Sequence, residues 1–231
     1  MVNLANADIG ELYNHILNTA QIDEYVVARD SATLGAVSFV SIDAPTKNIV
    51  MPVIDNMSDV NRDKACFMLD ASLLNLLRKR DIVDSQQTVC IDVHFRTLMK
   101  TSFRTRYLVV LADFVKNYGQ RVLLNITCVP ANLNITRMGD LLRYLIPILD
   151  NVSIEISAEN IMAQDLPKVS AKYFVLTVKE LSAINASERR DLVLGRLSKL
   201  PDYNKEIIVR DVARPIARPE PAPSQDDAFY L

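Results

Sequence analysis

Between Thr88 and Arg210 the chain alternates short apolar runs with stretches of helical period. The runs TVCIDVHF, RVLLNITCV, NVSIEIS, YFVLTV and KEIIVR recur about once per βα unit, a spacing that predicts parallel strands joined by crossovers rather than hairpins. Tyr107, Val110, Leu111 and Phe114 repeat at helical spacing before Gly119, and Met138, Leu141, Leu142 and Leu145 do so before Pro147. Both stretches predict amphipathic helices with a defined stop. Ser187 and Glu188 open a third predicted helix, with Val193, Leu197 and Leu200 on one stripe before Pro201.

The first 87 residues are patterned differently. AVSFVSID and IVMPVID are separated only by APTKN, whose turn-forming residues predict a β-hairpin. A helix is predicted before it, from about Asp8 to Thr19. A leucine-rich helix, DKACFMLDASLLNLLRKR, follows it, with a basic end that suits the negative pole of the helix dipole. Residues 1–213 are therefore assigned to one α/β domain. From Arg214 the chain reads RPIARPEPAPSQDDAFYL and holds four of the ten prolines. Proline cannot donate to a helix or a ladder, so residues 214–231 are expected to be a flexible tail. Its end, Phe229, Tyr230 and Leu231, is apolar and aromatic, and is a candidate partner-binding peptide.

Composition narrows the function classes. Hydrophobic residues make up 49% and charged residues 23%, and the formal net charge is −2. That balance belongs to a globular protein and offers no basic field for nucleic acid. No run approaches the roughly 20 apolar residues of a membrane span, and the first residues lack a basic, then apolar, leader, so a cytoplasmic location is expected. Cys66, Cys90 and Cys128 are odd in number, lie in apolar segments and lack metal-ligand spacing. They are expected to be free and buried, with no metal and no cofactor.

The order of elements, a hairpin, a helix and then five βα-spaced strands, resembles the EAL domain, the barrel fold of cyclic di-GMP phosphodiesterases, over roughly residues 36–212. Local wording adds to the likeness. CIDVHFRTL resembles the strand carrying the family's N-x-S motif, and RVLLNITCVP the strand written E-I/V-T-E. NVSIEIS resembles the D-D strand, KYFVLTV the segment ending K-I/L-D, and EIIVRDV the A-E-G-V strand. The resemblance implies an EAL-like (β/α) barrel, incomplete or modified because no clear eighth strand follows Val212. It also implies what catalysis would require: carboxylates and an amide around two divalent metals, and a lysine near the attacking water. At those positions the second strand of the expected hairpin, Ile49 to Asp55, holds no glutamate, and Asp92 stands for the asparagine. Asn125 and Cys128 replace the two glutamates, and Glu155 with Ile156 occupies the aspartate pair. Val175 replaces the lysine and Arg210 the last glutamate. An arginine adds positive charge where two cations would already need neutralising. The expectation is a non-catalytic domain that acts as an interaction or regulatory module in bacterial signalling, with another signalling protein as partner. The alternative is a sensor that binds cyclic di-GMP or a related nucleotide without cleaving it.

Side chains alternate faces along a strand. Cys90, Asp92 and His94 therefore share one face of their strand, and Asn125 and Glu155 sit at comparable depth on the next two. In a barrel-like sheet Asp92, His94, Asn125, Glu155 and Arg210 form an internal polar set, the candidate ligand-binding residues, in which Arg210 pairs with an acid because a lone buried charge is costly. Cys90, Asp92 and His94 on one strand span too far to hold one ion. The two histidines, His15 and His94, specify no catalytic Ser-His-Asp or Cys-His arrangement in the sequence. Arg96, Lys100, Arg104 and Arg106 place four cations within eleven residues without an acid. Cations at a helix start oppose its dipole, which makes them candidates for an acidic partner.

Overall fold

The structure is a computed structural model. It describes residues 8–31, 34–79, 87–118, 121–130, 135–156, 171–178 and 206–211. Among the described residues seven strands form one sheet in sequence order: β1 (Ile22–Ser31), β2 (Gly35–Ile42), β3 (Thr88–His94), β4 (Val122–Thr127), β5 (Val152–Ile156), β6 (Tyr173–Val178) and β7 (Glu206–Asp211). β1 is antiparallel to β2, and every later pair is parallel. The edge strands β1 and β7 approach each other, yet the described residues give no ladder between them. Over the described residues the sheet therefore curls into an open barrel rather than a closed one.

The helices are α1 (Ile9–Thr19), α2 (Ala44–Asp55), α3 (Asp59–Lys79), α4 (Phe95–Met99), α5 (Thr101–Tyr118) and α6 (Ile135–Leu145). Alternation along the strands divides the core in two. Val89, Ile91, Val93, Val122, Leu124, Ile126 and Ile154 face the helices, where they meet Leu69, Leu73, Tyr107, Leu111 and Leu142. The opposite residues, Val37, Phe39, Cys90, Leu123, Tyr173, Val175 and Ile208, fill the barrel interior. No described helix is long and apolar enough to cross a membrane.

The N-terminal region corrects one expectation. APTKNIVMPVID is not a turn and a strand but α2, and the hairpin lies upstream, between β1 and β2. Asp43 accounts for the difference. Its carboxylate accepts the Thr46 amide at 3.0 Å and the Gln21 amide at 2.6 Å, capping α2 and tying its start to the residue before β1. Pro45 falls in the first turn, where its missing N–H costs nothing, and Thr46, Val50 and Ile54 bury one helical face. The far end is closed from α3: the Arg62 guanidinium donates to the carbonyls of Ile54, Asp55 and Met57. The β-branched residues and Pro52 gave this segment a strand-like reading, which capping and tertiary burial overrode. The helix expected at Ser187 and the tail from Arg214, including Phe229, Tyr230 and Leu231, lie outside the described residues.

Candidate functional site

The interior polar residues gather toward the C-terminal ends of the parallel strands, the end where barrel sites are built. Asp92 is opposite Asn125 in the β3–β4 register, and Asn125 is opposite Ser153 on β5. The Asn125 amide donates to Asp92 Oδ1 at 2.8 Å, and the Ser153 hydroxyl donates to Asn125 Oδ1 at 3.0 Å. Arg210 reaches from β7 to Asp92 Oδ2 at 2.7 Å, and its guanidinium lies 5.0 Å from the centre of the Phe39 ring. Asn125 is fully buried and its amide and carbonyl are both used, which explains how an amide sits at the centre of an apolar strand.

Glu155 is half-buried on the same interior face, and its charge acts on Lys47 and Arg210. Lys47, in the second turn of α2, belongs to the same electrostatic set. Burial pulls its amine below the usual lysine range, while Asp92 opposes that shift. Sequence reasoning missed Lys47 because it read α2 as a turn. It also passed over Ser153, whose hydroxyl carries no signal until the register places it beside Asn125.

His94 does not join this network. β3 ends there, and the residue becomes the N-cap of α4 with an extended backbone. Its partner is Asp70 of α3, whose carboxylate accepts the His94 backbone amide at 3.0 Å and the Thr97 hydroxyl at 2.6 Å, and stands 4.0 Å from His94 Nδ1. Burial pushes the Asp70 carboxyl up to about 6, with His94 pulling the other way. Burial alone would lower His94. Its hydrogen bond with Cys128, together with Asp70, outweighs that and raises the imidazole to about 9. Cys128 is a second correction: Cys66 and Cys90 are buried as expected, but Cys128 is exposed. It lies one residue past Thr127, the residue opposite His94 in the β3–β4 register.

The cations after β3 are placed individually. Arg96 Nη1 pairs with Asp63 at 2.9 Å and with Asp59 at 3.3 Å, and Lys100 reaches Asp63 at 3.4 Å. Arg104 donates to the Leu98 carbonyl and lies over the Tyr144 ring at 4.3 Å. Arg106 lines a groove with Tyr13, Lys64, Phe67 and Phe103. The acids on α3 thus offset Arg96 in α4 and Lys100 just before α5, while Arg104 in the first turn of α5 is held by a carbonyl and an aromatic ring.

The mouth does not fit a pair of divalent cations. One oxygen of Asp92 accepts from an amide and the other from a guanidinium, which puts a fixed positive charge on its principal carboxylate. Among the described residues no group of three His, Cys, Asp or Glu side chains is arranged to hold a metal ion.

No protein-family profile and no curated protein matches the chain. Solved structures do. One is an EAL domain of FimX, with a TM-score of 0.56 and 13% identity, covering 88% of this chain and 85% of that one. Another is the Xanthomonas citri FimX EAL domain in complex with c-diGMP, with a TM-score of 0.57 and 11% identity, covering 88% and 81%. The described strands in sequence order, the first antiparallel and the rest parallel, with helices outside and a polar mouth, thus form an EAL-like fold.

Proposed function

We propose that this chain is a non-catalytic EAL-like module that acts in bacterial signalling by interaction or regulation rather than by cleaving a cyclic dinucleotide. The observation that carries this reading is the Arg210–Asp92 pair. A guanidinium 2.7 Å from the main interior carboxylate occupies the charge that a metal would need. A second reading, a sensor that binds cyclic di-GMP or a related nucleotide without hydrolysing it, is favoured by two observations. A structural neighbour is a complex with c-diGMP, and Lys47 and Arg210 bring two cations to the mouth, chemistry suited to phosphate.

Calorimetric titration of cyclic di-GMP, with and without magnesium or manganese, separates the readings, and chromatography of the same samples reports cleavage. No hydrolysis is expected with either ion. Binding that Lys47→Ala weakens without a change in melting temperature establishes the sensor, whereas no heat of binding leaves the interaction module. Turnover above a buffer blank that Asn125→Ala abolishes would overturn both.

A further inference from the structure

On the outside of the sheet α3 packs against both α1 and α5, and a groove of about 490 Å³ opens along the three helices. Its lining is mostly apolar. The half-buried rings of Phe67 and Phe103 stack there with centroids 5.1 Å apart. Tyr13 of α1, 39% exposed, and Val110 of α5 extend that surface. Apolar surface gathered in a concave site and left in water gains free energy when an apolar occupant covers it. Two exposed cations, Lys64 and Arg106, stand at the same groove. Neither has an ion pair or hydrogen-bond partner among the described residues. In this they differ from Arg96, Lys100 and Arg104, which neighbouring groups hold. The groove therefore asks for aromatic or aliphatic side chains with acids beside them.

We propose that the occupant is the chain's own segment 226–231, DDAFYL, with Phe229 and Tyr230 against the rings of Phe67 and Phe103 and with Asp226 and Asp227 facing Lys64 and Arg106. The proposal goes beyond the signalling reading and does not depend on it. Charge selects this segment. Residues 1–7, MVNLANA, directly precede α1 but carry no acid to meet the two cations. Connection allows it as well. α3 and α5 each return the chain to the start of a parallel strand, so their first turns lie at the end of the sheet where β7 finishes. Asp226 follows the last residue of β7, Asp211, by 15 residues. That length spans up to about 50 Å, against a radius of gyration of about 17 Å for a domain of this size. Exposed ion pairs hold little by themselves, so the rings anchor the segment and the charges set its direction.

The test is carbodiimide coupling of the full chain, which joins an amine to a carboxylate where the two already touch. Electrophoresis and peptide mass spectrometry then identify the linked residues. Lys64 should couple to Asp226 or Asp227 within one chain, about fivefold more than the exposed Lys79 and Lys116 do, at a yield independent of protein concentration because the segment is tethered. Phe229→Ser with Tyr230→Ser keeps both acids and should cut the Lys64 product about fivefold, since the anchoring rings are gone. Arg106→Glu should also lower it, by repelling the acids from the groove side. Coupling at Lys64 no greater than at Lys79 and Lys116 overturns the proposal. So does a yield that the double serine variant leaves unchanged. A product that runs as a dimer and grows with concentration also overturns it, because a second copy's segment would then fill the groove.

Discussion

Replacing Arg210 by alanine is expected to lower the unfolding free energy by about 3 kcal/mol, because breaking a buried ion pair leaves the partner charge without compensation. The side chains of Arg210 and Asp92 are only 11% and 19% exposed. Burial opposes the charged guanidinium, yet Asp92 more than offsets it and holds Arg210 above its ordinary range. With alanine in place, Asp92 retains the Asn125 amide but loses its charge partner, and the space beside Phe39 is emptied. Urea denaturation measures the loss, and a double variant, Arg210→Met with Asp92→Asn, should recover much of it by removing both charges together. Arg143→Ala is the surface control: its ion pair with Asp140 has side chains 82% and 57% exposed, and its loss should hardly register. An Arg210→Ala cost no larger than that of Arg143→Ala would mean that the interior pair is not what holds the barrel mouth.

The parallel part of the sheet was legible because two periods alternate there with little interference. YFVLTV is strand β6 residue for residue, and the Tyr107–Phe114 stripe lies in α5. Asp92, Asn125 and Arg210 were also legible, since a polar residue at the interior parity of a buried strand must find a partner on its neighbours. The illegible parts share a cause: each depends on a contact between residues far apart in sequence. Asp43 caps α2 while also bonding Gln21, so a segment of strand-like composition becomes a helix. His94 obeys the alternation of β3 only until the strand ends, and then an aspartate on α3, 24 residues earlier, decides where it points. Arg96 and Lys100 look like a free basic run until α3 packs beside them and supplies Asp59 and Asp63.

Stability is expected to fall as the pH rises from 6.5 toward 9. The folded imidazole of His94 titrates at about 9, above its ordinary 6.5. A cation whose folded pKa is raised contributes stability that is fully present below the unfolded value and is lost as the pH climbs through the folded one. A shift of this size, at about 1.4 kcal/mol per unit and reduced for the exposed flank at Cys128, makes the loss on the order of 2 kcal/mol. Asp70 titrates in a separate, lower window, between 3.8 and about 6. Its raised value has the same sign, because ionising a buried acid costs stability as the pH rises through that range. Urea midpoints at about pH 6.5 and pH 9 for the wild type and for His94→Gln isolate the histidine. The wild-type midpoint should drop while that of the variant stays nearly level, since glutamine keeps the backbone amide that bonds Asp70 and removes only the titrating ring. Equal slopes in the two proteins would assign the pH dependence to other groups and leave His94 uncharged in the folded state. The imidazolium charge would then be missing from its place beside the buried Asp70 carboxylate.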